Sequence, residues 1–594
     1  MSHKRLDRRQ LGMPMMTVGS EINIVRSNRV ILNNTICPAE IIIRNGKITN
    51  IVHKKSLAPS RGEKVMDVGD LMVMPGIVDT HVHINEPGRT AWEGFQTATK
   101  AAAAGGITTI VDMPLNSLPP TTTLSNFNKK LQAADGKCYV DIAFWGGIIP
   151  NNQAELVPML NAGVPGFKCF MIASGVDEFP HVSCMDLHMA MKDLENTESI
   201  LLFHAEVDVN QGSPVLEDPS EYNTFLKTRP DIMEVQAIQM VAELCLLYNV
   251  RCHIVHLSSA KALPIIREAR QAGAPLTVET THHYLTLTSE HIPPGATYYK
   301  CCPPIRGKDN QEALWAALHN RDIDMVVSDH SPCIPEMKLL EDGDFMKAWG
   351  GIASLQFGLP LFWTAAKQRG FTIHDLVHLM CKNTAKLCNL TERKGSLQPG
   401  WDADMVIWDP DKEFEVQEHM IHHKNKLTPY LNFHLHGTVF ATIVQGCLVY
   451  QEGKFSPKPQ GELLLIQQTK AKETVIIPHS KRMGLLQMDP STSRQATMER
   501  VLASSPSVPG VELPAFISME GALEVSGLEI SLSPPAARLP PQSVPERTEN
   551  VTAEAQKYLM QPLSRGFHLD QQAESTNNLR AGEPGSSTVT LETI

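Results

Sequence analysis

The sequence predicts an α/β protein: a (β/α)8 barrel flanked by a small composite β-sandwich built from both chain ends, plus a C-terminal tail outside both. Three observations carry this. Between about residues 76 and 390 an apolar run, a loop and a helix-like stretch recur eight times. On either side, at 20–75 and 391–455, the texture changes to short strands joined by turn signals. Beyond 455 the chain is rich in Ser, Pro, Gln, Thr and Glu and poor in aromatics.

The elements follow in order. Residues 1–19 read as a basic, solvated arm with Lys4, Arg5, Arg8 and Arg9; the LGMPMMTVG after them is broken by Pro and Gly and makes a poor signal core. EIIIRNGKITNIVH is two apolar runs around Asn45-Gly46, a hairpin signal. The barrel strands are GIVDTHVHI (76–84), GITTIVDM (106–113), YVDIAFWGG (139–147) and GFKCFM (166–171), then SILLFHAE (199–206), RCHIVHLS (251–258), LTVETTHHYL (276–285) and DMVVSDH (324–330). They are apolar on both faces, as a parallel sheet covered by helices requires. A doubly wound open sheet is the alternative, but no Gly-rich phosphate turn follows the first strand. DADMVIWDP and TVFATIVQGCLVYQEGKF return to strand texture and are expected to pair with the N-terminal strands. Residues 456–594 have disorder-like composition, with GELLLIQQ an apolar island.

The 594 residues are 42% hydrophobic and 20% charged, which is globular composition. A formal charge of −11 leaves no general basic footprint, which argues against nucleic acid as the principal partner. Twelve Cys without a paired framework imply free thiols in a reducing compartment. No run approaches the ~18 to 20 apolar residues of a spanning helix, so no membrane partner is expected. A cytoplasmic location is the expectation, with mitochondrial or peroxisomal ones as alternatives; the terminal LETI is not a peroxisomal tripeptide.

Barrel active sites lie at the C-terminal strand ends. Strand 1 ends in His81-Val82-His83, strand 4 carries Lys168, strands 5 and 6 end at His204 and His256, and strand 8 ends at Asp329. Residues i and i+2 of a strand share a face, so His81 and His83 point the same way. One such His is more often an ordinary core residue; five strand ends agreeing point to a metal centre. Lys168, between Phe167 and Cys169, is an ammonium that is costly to bury and repelled by divalent ions. Carboxylation by CO2 to a carbamate removes both difficulties, although a snorkelling lysine is the plainer reading of Lys168 taken alone. His422-His423 and His434/His436 lie in or near the small β domain and read as surface residues.

PGIVDTHVHINEPGRTAWEGF, GITTIVDMPLN, GFKCFM, FHAE, VHLSS, CCPPIR, SDHSPC and GSLQPGWDADMVIWDP, in this order, resemble the cyclic amidohydrolases, the allantoinase branch most of all. The resemblance runs from about residue 20 to 455. It implies two divalent metal ions, usually Zn2+, held by His81, His83 and Asp329 and by His204 and His256, with carboxylated Lys168 and a hydroxide bridging them. It further implies hydroxide attack on a ring amide, Asp329 as proton shuttle, a small-molecule substrate and a homotetramer. Asn116, Cys302 and Ser331 would contact substrate. Dihydroorotases carry Arg where this chain has Asn85, and dihydropyrimidinases and hydantoinases typically carry Tyr where it has Ala173; both differences favour allantoin. A dihydropyrimidinase or hydantoinase is the alternative, and a non-catalytic scaffold, which would have lost the ligands, the remote one. Cys302, in place of an expected Ser, and His282, in place of an expected Pro, depart from the family pattern.

Overall fold

The computed structural model describes residues 16–33, 35–53, 62–209 and 217–467. Expectations for residues 1–15 and 468–594 lie outside the described residues.

The N-terminal flank forms β1 (Ile24–Leu32), β2 (Thr35–Arg44), β3 (Lys47–His53), β4 (Val65–Asp67) and β5 (Met72–Pro75). β2 and β3 form the expected hairpin: Arg44 pairs with Lys47 across Asn45 (φ 50°) and Gly46 (φ 75°). Two successive left-handed residues match the twist of the strands they join, and Asn-Gly adopts that conformation at least cost.

The barrel follows as β6 (Ile77–Val82), β7 (Ile107–Asp112), β8 (Asp141–Phe144), β9 (Gly146–Gly147), β10 (Gly166–Phe170), β11 (Ile200–His204), β12 (Arg251–Ile254), β13 (Leu276–Thr281) and β14 (Met325–Val327). β8 and β9 are one barrel strand interrupted at Trp145, so all eight expected strands are present. Neighbours pair in parallel, β6–β7–β8 and β9 through β14. A parallel bridge from Val82 to His330, with the His83 N–H on the His330 carbonyl (2.8 Å), joins the first strand to the last. Helices cover the outside; the longest, Asp231–Tyr248, buries Ile238, Val241 and Cys245. One expectation needs correction: the seventh strand stops at Thr281, and His282–Thr286 turn into a short helix.

β15 (Met405–Glu415), β16 (His434–Val444), β17 (Cys447–Gln451) and β18 (Lys454–Phe455) complete the β domain. It is one nine-stranded sheet in which β5 pairs with both β1 and β15, stitching the two chain ends together. Val25, Ile41 and Ile43 from one half and Met405, Ile443 and Leu448 from the other share its core. Met16 and Val18, counted with the arm, already pack on this core.

The larger correction concerns 456–467, placed by composition in the tail. Leu463 bridges Ile142 at the start of the third barrel strand, the Leu464 and Ile466 N–H groups donate to Ile142 and Gly163, and both side chains are buried. GELLLIQQ is neither helical nor free: its described part is an extended strap across the strand starts.

Candidate metal centre

The parallel sheet brings the chemistry to one rim. His81 is on β6 and His83 just past its end, Lys168 lies on β10, and His204 closes β11; His256 and Asp329 stand two residues beyond β12 and β14. All six are buried. His81 Nε2 lies 3.1 Å and His83 Nε2 3.5 Å from Asp329 Oδ1. His204 Nδ1 lies 3.0 Å from His256 Nε2. The His81 and His256 rings, with centroids 5.4 Å apart, join the two groups.

Carboxylates behind the rings decide which nitrogens face inward. His81 Nδ1 bonds Glu279, whose carboxylate also takes His253 Nε2 (3.1 Å) and the His256 backbone N–H (3.2 Å). His204 Nε2 bonds Glu206 Oε2 (2.7 Å), which Arg229 also contacts. A proton on the outward nitrogen leaves a lone pair on the inward one. Burial pushes His83 and His204 down to about 4 and His256 well below the ordinary range, so these rings are neutral near pH 7. Burial raises the Asp329 carboxyl, but His81 and His83 more than offset it, and the group stays ionised. His81 Nε2 and His83 Nε2 thus crowd one carboxylate oxygen at 3.1 and 3.5 Å. A cation resolves that contact, and His81, His83 and Asp329 offer donor atoms all within 4.8 Å of one another.

Lys168 is buried, and its Nζ has no hydrogen-bond partner. Burial pulls its amine down to about 8, partly countered by Glu279 and Asp329. An amine so placed is partly neutral near pH 7 and able to act as a nucleophile. The donor set and this orphaned amine fit a divalent-metal centre.

The site also holds backbone strain. His256 (φ 39°), Asp329 (φ 45°), Asn85 (φ 65°) and Asn116 (φ 67°) are left-handed without being glycine. Such conformations cost of order 1–2 kcal/mol each and persist where surroundings enforce them. Next to Asp329, His330 Nδ1 accepts from the Ser354 (3.1 Å) and Leu355 (3.3 Å) N–H groups, while Nε2 meets Glu93 Oε2 (3.2 Å). His423, read as a surface residue, is fully buried with its ring 5.4 Å from that of His330. The segment carrying it folds in because Glu93 accepts the Lys424 backbone N–H.

Of the expected substrate contacts, Asn116 stands at the centre: its Nδ2 is 3.3 Å from His83 Nδ1, and its Oδ1 is buried without a partner. Cys302 and Ser331 each lie against one glycine of the Gly350-Gly351 pair: a Cβ on Gly350 would come within 3.3 Å of Cys302 Sγ, and one on Gly351 within 2.2 Å of the Ser331 carbonyl oxygen. The departure at His282 is absorbed away from the rim. Its ring packs on Gly358, where a Cβ would stand 2.6 Å from Nε2. Glu206, Glu279, Glu93 and His330 were missed by sequence reasoning. The available signal was a carboxylate inside an apolar strand, as in LTVETT, which demands a buried partner.

Residues 72–449 match the model of the amidohydrolase family. The chain is 64% identical over 397 residues to the mitochondrial allantoinase of Aquarana catesbeiana, covering 67% of this chain and 81% of that one. It is 44% identical to the allantoinase of Saccharomyces cerevisiae, over 75% of this chain and 99% of that one. A solved structure titled L-hydantoinase (dihydropyrimidinase) from Arthrobacter aurescens superposes with a TM-score of 0.68 at 29% identity, over 75% of this chain and all of that one. No helix among the described residues is long and apolar enough to cross a membrane. The chain belongs to the amidohydrolase family, within its allantoinase branch.

Proposed function

We propose that the protein hydrolyses the hydantoin ring of allantoin to allantoate, a step of purine degradation. The observation that carries this reading is the convergence of four imidazoles, two of them (His81 and His204) backed by Glu279 and Glu206, on Asp329 and a lysine without a hydrogen-bond partner. The names borne by the relatives support the substrate.

His81, His83 and Asp329 would hold one divalent ion, and His204 and His256 a second, with zinc the best match to this nitrogen–oxygen set. Lys168 in its neutral form attacks CO2: a C–N bond forms, the amine loses a proton, and the resulting carbamate offers two oxygens in place of a charge that would repel the ions. When bound, the ions would lower the pKa of a water and polarise the ring carbonyl. Asp329 accepts the proton released as the water oxygen adds to that carbon, then delivers it to the ring nitrogen as the C–N bond breaks. The burial of all six residues strengthens each of these interactions. Asn85, with Nδ2 on the Pro332 carbonyl (3.2 Å) and a buried, unpartnered Oδ1, presents no charge and suits a neutral ureide.

In this reading the chain assembles as a homotetramer, works in the cytoplasm and needs nothing beyond residue 467 for hydrolysis; gel filtration and cell fractionation test the first two. Turnover of allantoin, hydantoin, dihydrouracil and dihydroorotate by the purified, metal-loaded protein tests the substrate. Allantoin is expected to lead by kcat/KM. Preference for dihydrouracil or hydantoin would favour the dihydropyrimidinase reading, and no turnover of any ring would refute the hydrolase.

A further inference from the structure

We propose that His283 is a substrate-contacting residue, its imidazole donating a hydrogen bond to the polar edge of a ureide bound over the metal centre; the inference rests on the ureide-hydrolase reading above.

Strand pairing brings His283 to the site. β13 and β14 run in parallel with Thr281 opposite Val327. Just past these strand ends stand His283, in the first turn of the short helix, and Asp329, close enough for the carboxylate to act on the imidazole. His283 is completely buried, and neither ring nitrogen has a hydrogen-bond partner. A neutral imidazole always carries one N–H, and leaving that donor unpaired in the interior is unfavourable. Native interiors seldom retain such a group without a use for it.

The electrostatic surroundings agree with this placement. Burial depresses the imidazole to about 4, against a smaller opposing pull from the Asp329 carboxylate. The ring is therefore neutral near pH 7 and offers one donor and one lone pair, which is what the N–H and C=O groups of a ureide need. The ring is also held in place: Tyr284 sits edge-on at 4.3 Å, and its hydroxyl donates to the Pro303 carbonyl (2.7 Å) beside Cys302. The adjacent His282 packs on Gly358 instead, so the two histidines do different work.

The test uses the metal-loaded full-length protein and allantoin. His283→Phe keeps the bulk and removes both polar nitrogens, whereas His283→Gln restores a donor and an acceptor. The expected result is a fall of about 10- to 100-fold in kcat/KM for His283→Phe, largely regained in His283→Gln. Metal content and unfolding temperature should match the parent in both. A kcat/KM within two-fold of the parent in His283→Phe overturns the proposal. Loss of metal from His283→Phe also overturns it, because the ring would then be serving the ions. If His283→Phe does not fold, His283→Leu takes its place under the same criteria, and misfolding of both assigns the side chain to the fold. An unmodified chain inactive on allantoin would sink the underlying reading and this proposal together, and is told apart by that inactivity alone.

Discussion

Two lysines lie fully buried at opposite ends of the same barrel, and their surroundings are opposite. Lys394, below the strand starts, is enclosed by Asp141, Asp402 (2.9 Å) and Asp404 (2.7 Å). Burial pushes its ammonium down, but the three carboxylates outweigh that and hold it well above its ordinary value. Those carboxylates also have the spacing of a metal site, yet the lysine Nζ contacts all three. Because Asp141 begins a barrel strand while Asp402 and Asp404 lead into β15, the cluster fastens barrel to sheet. Lys168, at the opposite rim, has no hydrogen-bond partner, and its amine is depressed to about 8. A saturated buried charge builds structure, and an orphaned one is available for chemistry. In this fold the first belongs to the strand starts and the second to the strand ends.

The sharpest way to break this comparison is Lys168→Ala. kcat/KM for allantoin should fall by at least about 10³-fold with loss of bound metal, while the unfolding temperature stays close to that of the metal-free parent. Added short carboxylic acids should restore part of the activity by supplying the missing bridge. Lys394→Met should do the reverse. Removing the cation strands the buried carboxylates of Asp141 and Asp404, Asp402 keeping Arg393, so a loss of about 3–5 kcal/mol in unfolding free energy is expected, with kcat of the folded fraction kept. If Lys394→Met instead lost metal at unchanged stability, the division between the two lysines would fail.

A smaller effect is expected from Glu279→Gln, which leaves the volume but weakens its hold on His81 and His253. Metal affinity should drop about 10- to 100-fold, read by competition with a chelator. The smallest effects come from truncation. Ending the chain after residue 467 should leave activity and melting unchanged. Ending it at 455 uncovers the sites of Leu464 and Ile466 and should cost about 2–4 kcal/mol. Equal melting of the two truncated chains would show that the strap contributes nothing.

What the sequence made legible follows the same division. The eight strands could be read because parallel strands covered on both faces are plain apolar runs. The six rim residues could be read because strand ends are where barrels keep their chemistry. The supporting carboxylates could not, since their partners are remote in the chain: Glu279 meets His81 across 198 residues and Lys394 meets Asp141 across 253. Local pattern carries no sign of such pairings. The strap was hidden for a related reason: GELLLIQQ does not alternate like a half-buried strand, and only the edge at Ile142 gives it a place. His423 was misread because its burial depends on Glu93, more than three hundred residues earlier.

Whether the orphaned lysine belongs to the chemistry is decided by its covalent state. Metal-loaded protein prepared in ¹³C-bicarbonate with ¹⁵N-labelled lysine should show one carbamate carbon per chain coupled to a lysine ζ nitrogen, retained in Lys394→Met and absent from Lys168→Ala. A fully metal-loaded, active enzyme in which Lys168 remains a free amine would contradict the account.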